Sequence, residues 1–408
     1  MKKFKLGEFE RNSAIVFAIS MLANVVTYLY QIVMGNLLSP ADYGTINTLL
    51  SLSIVIGVPS GIISTLVATY TAKYQAVGKP ELIGGFMHKM LRASVLLACV
   101  VFAAGAALSS IIANVLQIEE TRYILATMVV VAFSCVAPVF SCTLQGVKRF
   151  VPYSINGVLN IAIRLLLSIP FVWMGFGIGG NLAAVILAAF ATAAFCFWRA
   201  RDLFFAPKIE QLHLDRTEIR SYFVSTFWFQ LFLLLMANGD VLLIKTFAAD
   251  PAEVGIYSSG SVIGKISLYL ANAIVPVLLP MVAERQSTGH DTRQLLKRAM
   301  LWGGGVAMLC AVGMNVVGRP LIGLLFGERY LAAIDLLLPI SFYVVPLGRS
   351  GFFAVSMAAG YLLIFVLVSR FHHSVAQMLY IMGGGLLLVL AANLIYIALA
   401  PQKEKATV

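Results

Sequence analysis

Arg164, Lys265 and Asp240 each place a full charge inside an otherwise apolar run, and they are the residues best equipped for chemistry. A charge at mid-membrane costs about 2.5–3.5 kcal/mol on insertion scales, so each needs a partner, water or a ligand. Polar neighbours recur around the two cations at helical spacing. Asn156, Asn160 and Ser168 fall within roughly 120° of arc with Arg164, and Ser258, Ser261, Tyr269 and Asn272 within about 80° with Lys265. A third stripe is Ser20, Asn24, Thr27, Tyr28 and Gln31, and a fourth is Ser134, Ser141 and Gln145. Cations set among amides and hydroxyls suit an anion, which Arg can hold bidentately.

Each feature also has a plainer reading. Polar stripes hydrogen-bond packed helices to one another, and a buried cation can be half of an internal salt bridge. The two central cations share a sign, however, and the single acid Asp240 is insufficient to neutralise both. The reading carried forward is a hydrated cationic cavity with Arg164, Lys265, Asn24, Gln31, Asn160, Tyr269 and Asn272 as candidate binding residues. Asp240 is either a static partner of a neighbouring cation or the group that couples a cycle to H+ or Na+. Lys245 lies five positions further on, about 140° around the helix, and is expected to snorkel to the interface.

No catalytic or metal-binding constellation is found. His372 and His373 are adjacent at the edge of a span, without further ligands at suitable spacing. Gly303–Gly305 and Gly383–Gly385 lack the following Lys-Ser/Thr of a phosphate loop and read as close helix packing. Cys99, Cys135, Cys142, Cys196 and Cys310 all lie in apolar segments and read as small buried side chains. The chain is expected to be no enzyme and to use no cofactor and no metal.

The elements that carry these residues are set by hydropathy. Of 408 residues, 60% are hydrophobic and 12% charged, too little polar surface for a water-soluble domain. Apolar runs of about 20 residues, each able to cross the hydrocarbon core as a helix, recur from Ser13 to Leu399. The expectation is an all-α polytopic membrane protein with about twelve spans. Their approximate limits are 13–36, 45–72, 91–116, 123–146, 152–174, 177–198, 222–247, 254–283, 299–317, 333–348, 350–369 and 375–399. The basic N-terminus leads directly into the first span and lacks a small-residue cleavage site, so it reads as a retained helix.

The net charge of +11 follows topology. With a cytoplasmic N-terminus, Arg122, Arg319, Arg329 and Arg370 fall outside and Arg164, Lys245 and Lys265 within segments. The remaining Lys and Arg all fall inside, as the positive-inside rule requires. Both termini are then cytoplasmic, and no nucleic-acid partner is needed.

Ser39-Pro40-Ala41-Asp42-Tyr43-Gly44 and Asp250-Pro251-Ala252-Glu253-Val254-Gly255 share one pattern, half a chain length apart. Ser39 and Asp250 suit an N-cap, Pro40 and Pro251 the first helical position, and Asp42 and Glu253 the third. The longest inside connection, residues 199–221, falls between them. We therefore expect two parallel six-helix lobes, 1–198 and 222–408, joined by a cytoplasmic linker and placed around a central cavity.

These features resemble the polysaccharide transporter family, the Wzx-type lipid-linked oligosaccharide flippases of the MOP exporter superfamily. The resemblance rests on the Leu38–Gly44 turn, the stretch from Asp240 through Tyr257, and Leu325-Phe326-Gly327-Glu328-Arg329-Tyr330. It runs from about residue 10 to 350, and the chain departs from it by ending about two spans later, where longer relatives continue. It implies a flippase moving a polyprenyl-diphosphate-linked oligosaccharide across a bacterial cytoplasmic (inner) membrane by alternating access, for surface polysaccharide biosynthesis. The cations would hold the diphosphate, and the amides and hydroxyls would meet sugar hydroxyls. Membrane lipids and a coupling H+ or Na+ are the other expected partners. The alternatives are a multidrug/cation antiporter of the same superfamily and a membrane glycosyl-transfer enzyme such as a polysaccharide polymerase or ligase. Basic residues outnumber acids in the spans, against the first. No outside loop exceeds about 16 residues, against the second.

Overall fold

A computed structural model describes residues 6–78, 81–205, 216–266, 293–347 and 354–399. All regular structure among them is helical. The first helices are α1 (Leu6–Leu37), α2 (Pro40–Ile56), α3 (Val58–Ala76), α4 (Glu81–Ala107) and α5 (Ser109–Val115). They are followed by α6 (Thr121–Val136), α7 (Pro138–Gly146), α8 (Phe150–Phe171) and α9 (Gly177–Phe204). Then come α10 (Arg216–Phe247), α11 (Pro251–Gly264), α12 (Arg293–Phe326), α13 (Ile334–Leu347), α14 (Ala354–Arg370) and α15 (Val375–Leu399).

Both repeated turns start a helix as expected. Ser39 Oγ accepts from the Asp42 amide at 3.1 Å, and Asp250 Oδ1 accepts from the Ala252 amide at 2.8 Å. Asp42 does not close a capping box on the backbone. Its carboxylate instead accepts from the Ser39 hydroxyl at 2.7 Å.

Seven helices among the described residues are long and apolar enough to span a membrane, or eight with α2 and α3 taken as one span bent by 50°. One of the seven, Phe150–Phe204, holds two expected spans. Gly175 (φ 88) and Gly177 (φ 49) take the positive φ that glycine adopts without strain, and there the chain reverses so that α8 packs against α9. A total of twelve is not established by the described residues. The eighth expected span, 254–283, is described only to residue 266, and α13 and α14 have 14 and 17 residues. The expected linker, 199–221, is likewise described only at its two ends.

The chain forms two compact units, residues 1–230 and 231–408, with the boundary inside α10. In the first, α8 packs on α1 and α9, α4 on α6, and α3 on α7. Ile83, Phe86, Met87, Val139 and Leu144 fill its core. In the second, α13 packs against α11, α12 and α15, and α14 against α15.

Two spans of the first unit are broken, and the breaks meet. Pro138 opens α7 and has no N–H, so it cannot donate to the carbonyl four residues back, that of Ser134. The Ser60 hydroxyl, beside the α2–α3 break at Gly57, donates to that carbonyl across the helix pair. A buried carbonyl in hydrocarbon needs such a partner, so the serine completes what the proline removes.

Candidate functional site

In the first unit the expected cation is present, and no carboxylate pairs with it among the described residues. Arg164 lies midway along α8, with its guanidinium carbon 3.9 Å from the centroid of the Tyr30 ring on α1. Its Nε and Nη2 are buried, and neither has a hydrogen-bond partner among the described residues. Two other arginines mark the difference. Arg122 turns its Nε and Nη2 to both carboxylate oxygens of Glu120, and Arg149 turns its Nη1 and Nη2 to those of Asp202. Arg164 keeps free the same Nε–Nη2 edge that Arg122 spends. That edge matches a phosphate or carboxylate in shape and charge.

The ring beneath Arg164 is fixed by a buried network. Tyr30 and Asn181 exchange hydrogen bonds through the hydroxyl and amide, with Tyr30 O–H to Asn181 Oδ1 at 3.0 Å and Asn181 Nδ2 to Tyr30 Oη at 2.7 Å. Asn181 Nδ2 also reaches Ser168 Oγ at 3.2 Å and Met34 Sδ at 3.3 Å. Tyr30 is 1% exposed, and Asn181 and Ser168 are fully buried. The network joins α1, α8 and the start of α9.

Other expected binding residues fare variously. Asn160 donates to Thr192 Oγ1 on α9 at 3.2 Å, an interhelical bond. Asn156 has a buried Oδ1 with no partner among the described residues. Gln31 accepts from the Tyr43 hydroxyl at 3.1 Å, and Asn24 is exposed. Thr27, Ser134, Ser141 and Ser258 donate to carbonyls three or four residues back on their own helices, so these four bonds do not join packed helices. Tyr269 and Asn272 lie outside the described residues.

In the second unit the other central cation is paired. Lys265 Nζ sits 2.9 Å from Asp240 Oδ2, and the Tyr257 hydroxyl donates to the same oxygen. Asp240 is 1% exposed. Its Oδ1 is buried without a hydrogen-bond partner among the described residues, and Asp240, Tyr343 and Tyr361 line a small, otherwise apolar cavity. The Tyr343 hydroxyl donates to the Met236 carbonyl one turn before Asp240. Lys245 does not snorkel: it is 3% exposed and lies within the packed helices. One acid therefore serves Lys265, and Arg164 is left without one among the described residues.

Tyr30, Asn181, Tyr257 and Tyr343 were not among the expected site residues. Tyr257 had a signal, since it closes the stretch begun by Asp240 that carries the family resemblance. Tyr30 and Asn181 had none, because their contact spans 151 positions and follows no helical period.

Fold and helix chemistry define an all-helical protein with several helices long and apolar enough to span a membrane. A multidrug resistance MATE family transporter of the MOP superfamily, inward-facing, superposes with a TM-score of 0.68 at 14% identity, covering 94% of this chain and 96% of its own. The lipid II flippase MurJ, in an inward closed conformation, gives a TM-score of 0.72 at 11% identity, covering 94% and 87%. At these identities the likeness is one of fold. No curated protein matches the chain. The family of polysaccharide biosynthesis proteins matches residues 33–335, and the chain belongs to it.

Proposed function

We propose that this chain is a flippase that carries a polyprenyl-diphosphate-linked oligosaccharide across a bacterial cytoplasmic membrane for surface polysaccharide biosynthesis. The observation that carries the reading is the unspent Nε–Nη2 edge of Arg164, a buried bidentate donor with no acid against it among the described residues. Such an edge in hydrocarbon costs free energy unless an anion completes it. A lipid-linked diphosphate supplies that anion in the bilayer, and the family's role in polysaccharide biosynthesis supplies the sugar. The lipid II flippase among the fold neighbours supports the same class of substrate. Transport of this kind makes and breaks no covalent bond.

Asp240 is the group we assign to ion coupling. A proton or Na+ at its partnerless Oδ1 would weaken its hold on Lys265 and free the ammonium for an anion. We place both termini in the cytoplasm, following the charge bias of the loops. The cation antiporter reading is weaker, because the acid it would use, Asp240, already holds Lys265.

The test is deletion in the native host with analysis of lipid intermediates. The proposal expects a polyprenyl-diphosphate oligosaccharide to accumulate on the cytoplasmic face, and wild-type protein but not an Arg164→Ala variant to clear it. Unchanged lipid intermediates together with altered dye efflux would assign the chain to the antiporters.

A further inference from the structure

A buried arginine is ordinarily neutralised by a carboxylate, and the carboxylate then occupies the N–H edge that an incoming anion would need. Arg122 with Glu120, at an exposed position, shows an N–H edge spent on a carboxylate in that way. Arg164 is compensated differently. Its guanidinium lies against the face of Tyr30, where the ring quadrupole attracts a cation without accepting any of its hydrogen bonds. The charge is partly offset, and the edge stays free.

The ring is also held in place. The Tyr30 hydroxyl is locked to Asn181, and Asn181 is locked to Ser168, one helical turn beyond Arg164 on α8. Ring and amide are thus tied to the helix that carries the guanidinium. We infer that Tyr30 is a positioning residue for the anion held by Arg164, a counter-group that sets the plane of the guanidinium and does not compete for its Nε–Nη2 edge. This rests on the reading of Arg164 given above. It adds that the substrate anion displaces no internal acid, so binding carries no cost of breaking an ion pair.

The experiment uses the full chain in lipid nanodiscs, inorganic pyrophosphate as the probe, and calorimetry to read affinity, with melting temperature followed in parallel. Phenylalanine and its mono-, di- and trifluorinated forms are placed at position 30, keeping the shape while draining the ring's negative face. Affinity is expected to fall stepwise with fluorination, by on the order of tenfold from Phe to the trifluoro form, at constant melting temperature. Tyr30→Glu is expected to abolish binding by giving Arg164 an internal carboxylate. A flat fluorination series with binding still lost in Arg164→Ala overturns the role of Tyr30 and leaves the anion site standing. A fall in affinity that tracks a fall in melting temperature also overturns it, in favour of a structural role. Absence of pyrophosphate binding in wild type, or full binding in Arg164→Ala, overturns both readings.

Discussion

Single charged residues carry most of the functional information in this chain, because hydrocarbon makes each of them expensive. Arg164 stood out in the sequence for that reason, and so did Lys265 and Asp240. Which cation the one acid would serve was not legible. The answer depends on tertiary packing: α10 and α11 bring Asp240, Tyr257 and Lys265 onto one carboxylate oxygen. The two cations should therefore respond oppositely to removal. Arg164→Ala deletes a charge that no carboxylate faces among the described residues, so flipping should be lost while the melting temperature in nanodiscs holds or rises. Asp240→Asn strands the Lys265 ammonium and should destabilise by about 3–5 kcal/mol, as breaking a buried pair does. Adding Lys265→Met to Asp240→Asn should recover most of that loss. Equal loss in the single and double variants would mean that the pair is not the source.

At the level of elements, hydropathy located the seven or eight spans found among the described residues, since length and apolarity are all that a lipid-facing helix needs. It did not locate their breaks. Residues 45–72 and 123–146 read as continuous runs, yet Gly57 and Pro138 divide them, because hydropathy does not register a missing N–H. The pairing of the two breaks through Ser60 and the Ser134 carbonyl yields a specific expectation. Ser60→Ala leaves that carbonyl unsatisfied and should cost about 1 kcal/mol in detergent unfolding. Pro138→Ala restores an amide that can reach the same carbonyl, so in that background Ser60→Ala should cost clearly less. A double-mutant cycle measures the difference directly, and additive effects would show that the serine acts elsewhere. The hairpin reversal at Gly175 was likewise invisible to hydropathy, because Trp173, Met174 and Phe176 keep the turn apolar while being largely exposed.

For the whole molecule, the distribution of Lys and Arg carries the proposed orientation, because it bears on sidedness and not just on the number of crossings. Insertion follows the excess of positive charge in short loops, and here the bias is nearly complete between alternate connections. The proposed orientation predicts that the two Pro-Ala-acid turns share one side of the membrane with the connection after α14, and that the α3–α4 connection is on the other. Three exposed positions sample this arrangement: Ser39 before α2, Val77 after α3 and Ser374 before α15. In a Cys99→Ser background, which removes the exposed native thiol, each is replaced in turn by Cys in intact cells. A membrane-impermeant maleimide should label Ser39→Cys and Ser374→Cys from outside, and Val77→Cys only after the cells are opened. The reverse pattern would invert the molecule and put its basic loops outside. Agreement at Ser39 with disagreement at Ser374 would carry a different meaning. It would require an odd number of crossings between α2 and α15, and would place the error in the part of the second unit where the spans are shortest.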